Sequence, residues 1–367
     1  YIQRIISFTI YQSLLSALLS MIIALPLALT VRKYLEYRII RFALSLAWLS
    51  FVLPVIIGVF AIIKLHGVSG WFSDISVLFG YEKFEYIYGM NGILIAHIFF
   101  NVPFATRIIL FSLNTIPDEL LRVTIQNNFS RWNTFTVIEW PAIRYNLFVT
   151  AAIIFSLCFT SFVVVLILGG GPKYSIIEVA LYYALKIEFN INRAVSLGII
   201  QMIIASCIVL IILSFTKSFK IEPYTKLKLK NPSIITKKAI VIDSIMLIVA
   251  LFIFLLPIFA LIVSCITAIS YENIFANQGL HNSIYWTLVL GLSSGIVAII
   301  ISMMLLITIR KLVITHQMKW LANLLELSGN LILILPPILL GTGIFLSLRN
   351  VYNVQEIAPY IIVAINS

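Results

Sequence analysis

An all-α, polytopic transmembrane helix bundle is the fold class this sequence predicts, and three observations predict it. Of the 367 residues, 61% are hydrophobic and 11% charged, and the mean hydropathy is +1.08. Apolar runs of membrane-crossing length recur along the chain. Cations crowd into every second loop between them. Soluble domains carry about 25% charged and 45–50% apolar residues, and a soluble fold of this length has no place to hide so much apolar surface. Lipid provides one.

A span needs about 20 mostly apolar residues. Spans are expected over 8–30, 42–65, 90–113, 147–169, 194–215, 239–266, 284–308 and 321–348, with a ninth opening near Pro359. Pro26, Pro54, Pro103, Pro257 and the pair Pro336-Pro337 fall inside these runs. Bundled membrane helices tolerate proline because neighbours and local 3₁₀ or π adjustments satisfy the freed carbonyls. The chain opens on Tyr1 and stops inside the apolar run 361–367, so a piece of a longer protein is expected.

The formal net charge is +11, but its distribution argues against a nucleic-acid partner. Loops 31–41, 114–146, 216–238 and 309–320 hold seventeen Lys and Arg, against five in the alternate loops. That bias places the first set in the cytoplasm. The cysteines Cys158, Cys207 and Cys265 lie in apolar runs without metal or disulfide spacing. The histidines His66, His97, His281 and His316 are scattered. No metal site, cofactor or catalytic residue is expected, and the chain carries no phosphate-binding Gly-rich loop. Gly169-Gly170-Gly171-Pro172 reads instead as a turn where the chain leaves the membrane.

One cytoplasmic loop is patterned. In Asn114-Thr115-Ile116-Pro117-Asp118-Glu119, proline and acids suit a helix start. Leu120, Leu121, Thr124 and Ile125 then form an apolar stripe, and Asn127-Asn128 breaks it, since Asn tolerates the left-handed conformation. A second short helix is expected from Arg131 to Ile138, stopping at Pro141. The result is a helix–turn–helix on the membrane surface.

The chain also repeats itself. Ile10-Tyr11-Gln12-Ser13-Leu14 is similar to Ile284-Tyr285-Trp286-Thr287-Leu288, Val31-Arg32-Lys33 to Ile309-Arg310-Lys311, and Leu53-Pro54-Val55-Ile56 to Leu335-Pro336-Pro337-Ile338. The copies run in the same direction, as parallel repeats of transporters do. The expected organisation is a first permease repeat over 1–215, a basic cytoplasmic linker over 216–238, and an incomplete second repeat over 239–367.

The loop at 114–146 resembles the cytoplasmic EAA loop of ATP-driven (ABC) importer permeases. There the pattern is Glu-Ala-Ala, three residues, Gly, nine residues, Ile-x-Leu-Pro. Here the matching stretch is Val123-Thr124-Ile125, then Asn128, then Ile138-Glu139-Trp140-Pro141. From Asn128 to Pro141 the spacing is kept, but two residues rather than three separate Ile125 from Asn128; on this match valine replaces the glutamate and asparagine the glycine. The stretches 88–103, 168–172 and 325–329 resemble the thiamine permeases of that class. The resemblance implies a type I permease-like fragment of a tandem duplicated core, multi-pass in the bacterial inner membrane. It also implies cytoplasmic ATPase subunits and a periplasmic substrate-binding protein as partners, beside membrane lipid. On that match the first helix and most of the second half lie outside this sequence.

By the same resemblance, Asp118, Glu119, Arg122, Val123, Thr124, Ile125, Asn128, Phe129 and Pro141 are the ATPase-coupling residues. Polar groups within spans are functional candidates by default. His97 and Asn101 share a helix face, as do Glu326 and Asn330, so these four are candidates for the substrate pathway or for bonds between helices. Arg107 and Asp243 are expected to reach towards the span ends. An iron(III) importer permease and a secondary transporter remain alternatives at this point. An embedded enzyme would need clustered His, Asp or Glu.

Overall fold

The structure is a computed structural model that describes residues 2–216, 237–268, 277–315, 317–329, 337–348 and 358–363. Among the described residues the regular elements are helical. They run α1 (Ile2–Lys33), α2 (Arg38–Ala47), α3 (Leu49–Val52), α4 (Val55–His66), α5 (Trp71–Leu78) and α6 (Met90–Leu113). Then come α7 (Asp118–Gln126), α8 (Arg131–Thr134), a π turn (Phe135–Glu139), α9 (Trp140–Phe159), α10 (Phe162–Leu168) and α11 (Ile177–Lys186). The chain continues with α12 (Ile191–Thr216), α13 (Lys237–Ala268), α14 (Gln278–Ile314), α15 (Lys319–Gly329) and α16 (Pro337–Leu348). Seven helical stretches among these residues are long and apolar enough to cross a membrane: Ile2–Lys33, Val55–Leu78, Met90–Leu113, Arg131–Phe159, Ile191–Ile208, Ala239–Thr267 and Gln278–Ile314.

The chain divides into two compact units. One holds Tyr1–Phe189 with Cys207–Ser264, and the other Asn190–Ser206 with Cys265–Ser367. The first is built on α1, α6 and α9. Ala17, Ala24 and Ala28 of α1 and Ala96 and Ala105 of α6 are buried in one core. Small residues let membrane helices approach closely where no hydrophobic driving force favours protein over lipid. Phe99 fills the middle of that core and meets Phe254 of α13 with ring centroids 6.5 Å apart. In the second unit α15 folds back at the end of α14, through a bond from the Met318 amide to the Leu312 carbonyl (3.0 Å). Gly198 of α12 lets the Leu339 side chain of α16 pack directly on its backbone.

Proline decides which expected spans are continuous. Pro26, Pro103 and Pro257 sit inside unbroken helices. Pro54 does break its run: it forces Leu53 out of the helical region, and the expected span 42–65 becomes α2, α3 and α4. The expected span 147–169 is also split, at Thr160-Ser161, into α9 and α10. Pro141, expected to end a helix, does not. The helix runs from Arg131 through Phe159, and the π turn immediately before Pro141 absorbs the missing N–H and the bulk of the ring. Residues 330–336, in the expected span 321–348, and most of the linker 216–238 lie outside the described residues.

The stretches after α1 and α14 share part of their element order: each long helix carries an Arg-Lys pair near its end, followed by α2 of 10 residues, the short α3 and α4 of 12 in the first case, and by α15 of 11 and α16 of 12 in the second. The Gly-rich stretch is a turn, as read from the sequence: Gly170 and Gly171 have φ of 68° and 114°.

At Gly92, near the start of α6, an added Cβ would collide with the Ile87 carbonyl oxygen. The Gly92→Ala variant is expected to lose about 1–3 kcal/mol of stability, read as a lower thermal unfolding midpoint in detergent.

Candidate functional site

Two polar constellations stand out in the first unit. One lies in the middle of the bundle, the other at the end where the cationic loops gather.

The central one is a seam along α1. Thr9, Gln12, Ser13, Ser16 and Ser20 fall at helical spacing on one face and are buried. Gln12 Nε2 donates to the Cys158 carbonyl (2.9 Å) and to Ser13 Oγ (2.7 Å). Ser16 Oγ is hydrogen-bonded to His97 Nδ1 at 2.7 Å, and His97 Nε2 to Ser161 Oγ at 2.6 Å. Asn101 Nδ2 donates to Cys158 Sγ (3.2 Å). The candidates His97 and Asn101 are therefore brought together, one turn apart on α6, with both His97 nitrogens and the Asn101 amide nitrogen engaged by α1, α9 and the break before α10. Ser161, freed from regular helix by that break, is what His97 holds. Of the other pair, the Glu326 side chain and Asn330 lie outside the described residues.

The second constellation begins at α7. The chain turns at Pro117 into Asp118–Gln126 and leaves through Asn128, whose φ of 52° is the left-handed value expected of it. A bond from the Phe129 amide to the Thr124 carbonyl (2.9 Å) closes the turn. Ser130 then caps α8, accepting from the Asn133 amide at 3.1 Å. The loop is thus a rigid elbow. Leu121 and Thr124 are buried against the bundle, and the Thr124 hydroxyl donates to its own helix at Leu121 O (2.7 Å). Ile125 is half-buried. Of the sequence-named coupling residues, Glu119, Arg122, Val123, Asn128, Phe129 and Pro141 are exposed. Leu120, expected on the inner stripe, is exposed too. It joins Val123 in an apolar outer face beside Glu119 and Arg122, while Phe129, also exposed, lines the cleft behind the elbow. The side chain of Asp118 is not among those described.

Behind the elbow lies a cleft of about 710 Å³, lined by Leu25 and Leu29 of α1, Ile125 and Phe129 of the elbow, Phe135 of the π turn and Met246 of α13. Ion pairs edge it. Arg32 Nη1 lies 3.2 Å from Glu139 Oε1, with side chains 6% and 17% exposed. Asp243 is buried, against the expectation that it reaches for the span end. Lys33 Nζ donates to both of its oxygens at 3.0 Å, and Tyr34 OH to Oδ2 at 3.0 Å. Thr30 Oγ1 lies 3.4 Å from Oδ1. Arg131 Nη2 stands 3.9 Å from Oδ2. Burial, followed by the bond to and charge of Asp243, pushes the Tyr34 phenol up to about 12. Arg107 is exposed, and its guanidinium lies 3.5 Å over the Trp48 ring.

Sequence reasoning missed the Asp243 cluster and Glu178. The signal for the first was a lone acid in a strongly apolar helix. Glu178, at the start of α11, is buried, with Oε2 lacking a partner. Burial pushes its carboxyl from 4.5 up to about 8. Among the described residues no cluster of His, Cys, Asp and Glu is placed to hold a metal ion.

The fold matches solved ABC importers. A crystal structure of a bacterial alginate ABC transporter, in complex with an alginate-pentasaccharide-bound periplasmic protein, aligns over 58% of this chain and 77% of its own, with TM-score 0.51 at 18% identity. Another, of a bacterial ABC transporter that imports alginate, covers 59% and 79% at TM-score 0.52 and 19% identity. The architecture is that of an ABC importer permease.

No family model matches the chain. It is 36% identical to the thiamine transport system permease protein ThiP of Escherichia coli (strain K12) over 371 residues, all of this chain and 68% of that protein. The ThiP protein of Salmonella typhimurium (strain LT2) is 35% identical over the same share, and that of Brucella abortus (strain 2308) 33%, covering all of this chain and 67% of its own length. This chain belongs to the family of thiamine transport system permeases. The ferric transport system permease FbpB of Actinobacillus pleuropneumoniae is 25% identical over 58% of the chain, so the iron alternative is not favoured.

Replacing His97 by Ala would leave the Ser16 and Ser161 hydroxyls without their partner in the bundle. A stability loss of about 1–3 kcal/mol is expected, measured by thermal unfolding in detergent. A midpoint equal to wild type would remove the seam's structural role. Glu178 supplies a pH test. Its folded-state pKa is raised, so its contribution is fully present below pH 4.5 and is lost as pH rises through about 8. Wild-type protein should melt progressively lower across that window, whereas Glu178→Gln, neutral throughout, should show a flatter profile.

Proposed function

We propose that this chain forms the membrane-spanning permease core of an ATP-driven thiamine importer in the bacterial inner membrane. It works with cytoplasmic ATPase subunits and a periplasmic thiamine-binding protein. Membership of the thiamine permease family supports the substrate. The outer face of α7 carries the mechanistic reading: Leu120 and Val123 stand exposed beside Glu119 and Arg122 on the elbow. An exposed apolar patch rimmed by charge is what a protein partner covers. ATPase subunits that bind this face would move it on closing, and α6 and α9, joined to the elbow at its ends, would follow. ATP energy acts through such a contact provided that the inward-open and outward-open states differ in it.

Leu120 and Val123 make the centre of this docking surface apolar, with the charges of Glu119 and Arg122 beside it. Thr124 and Ile125, on the inner face, support the elbow from behind instead of meeting the ATPase. Asn128 supplies the turn that glycine makes in the pattern. His97 and Asn101 have their polar atoms engaged by neighbouring helices, which favours a bridging role over direct contact with thiamine. The recurrence of helix order after α1 and α14 supports the tandem-repeat reading, with repeats over 1–215 and 239–367 joined by the basic linker 216–238. The large exposed apolar side chains of α14, such as Leu292, Ile299 and Met304, suit a lipid boundary.

The Leu120→Asp and Val123→Asp variants should still insert in the membrane but fail to retain the ATPase subunits on affinity purification. Uptake of labelled thiamine into proteoliposomes should fall at least about tenfold, as hot-spot truncations at protein interfaces do. Full retention of the ATPase by both variants would overturn the docking face. Stimulation of ATP hydrolysis by an iron-loaded but not a thiamine-loaded binding protein would overturn the substrate.

A further inference from the structure

The ion pairs behind the elbow differ in a way that suggests what each does. Arg32–Glu139 is short and sheltered, so parting these two charges is costly. Asp243 is sheltered as well, yet Lys33 and Tyr34, which leave α1 together, already occupy both of its oxygens at 3.0 Å. Arg131 adds a longer contact of 3.9 Å from a side chain 57% exposed. If Arg131 withdraws, water solvates the guanidinium, and the carboxylate keeps its partners on α1. This contact therefore breaks at small cost, while Arg32–Glu139 does not.

The two contacts are separated by α8 and the π turn Phe135–Glu139. π turns are among the irregularities that let a helix adjust locally. The cleft of about 710 Å³ behind the elbow gives the segment room to move.

We propose that Arg131 and Asp243 form a releasable latch, and Arg32–Glu139 the pivot, of the elbow: the latch holds the elbow against α1 and α13 in one transport state and opens in the other. Asp243 and Arg131 are then positioning residues that set how much ATP is spent per substrate moved. This rests on the coupling role proposed above for α7. An element shared between two arrangements of nearly equal free energy is what a ligand or nucleotide can bias.

The test uses the full transporter with its ATPase and binding protein in proteoliposomes. Arg131→Gln cuts the latch but leaves Asp243 paired to α1, so folding is kept. Substrate transported per ATP hydrolysed should fall by up to about fivefold, the worth of an exposed ion pair, and Arg131→Lys should restore most of it. Asp243→Asn should be no worse in combination with Arg131→Gln than alone. A second measurement does not depend on activity. Spin labels at Asn133→Cys and Ile242→Cys, on a cysteine-free background, should report different spacings in the nucleotide-free and ATP-trapped states. In Arg131→Gln the ATP-state spacing should already be populated without nucleotide. A wild-type transport ratio in Arg131→Gln, or a spacing that neither nucleotide nor this substitution alters, would overturn the latch. The Leu120→Asp control separates the two readings: retention of the ATPase by that variant means the docking face, and not the latch, has failed.

Discussion

A hydroxyl, amide or imidazole inside a hydrocarbon layer must find its partner within the protein, because no water is there to supply one. The rest of this bundle depends on that constraint. The polar face of α1 is directed inward, where Gln12 meets the Cys158 carbonyl and Ser16 meets His97. Once those bonds set the rotation of α1, its alanines are on the inside too, and α6 packs close against it. Each bond is worth little on its own. Together they select one rotation of each helix among many that apolar packing alone would allow.

The constraint also accounts for the irregular stretches. The break between α9 and α10 frees backbone and a serine, and His97 takes the Ser161 hydroxyl. The π turn before Pro141 lets a proline lie in a continuous helix without a clash. Pro54 has no such relief and interrupts its run. Three prolines with the same local chemistry as Pro54 lie in unbroken helices, so surroundings and not residue type decide the outcome.

At the cationic end the governing interaction is electrostatic. The loop, α1 and α13 each bring a charge to one small region, and the sheltered members are paired. In the proposed docking this end meets an ATP-hydrolysing partner, and the elbow presents it with the apolar side chains of Leu120 and Val123. The shape of the elbow comes from local chemistry: a left-handed Asn128, a closed turn at Phe129, and a capped α8.

Much of this was legible in the chain itself. The long apolar runs and the alternation of cationic loops determine an all-α membrane protein, because hydrophobicity and helical period are local properties; its class came from the resemblance of the patterned loop and neighbouring stretches to a known family. Asn127-Asn128 announces its turn for the same reason. Other features depend on residues far apart in sequence, and only the tertiary structure decided them. Asp243 reads in sequence as an acid near a span end, yet it is buried because Lys33 and Tyr34, some two hundred residues earlier, come to meet it. Leu120 and Thr124 read alike as part of one stripe, and packing against the bundle turns one outward and the other in. Periodicity states which residues share a face, but the neighbour that covers that face is chosen by the whole fold.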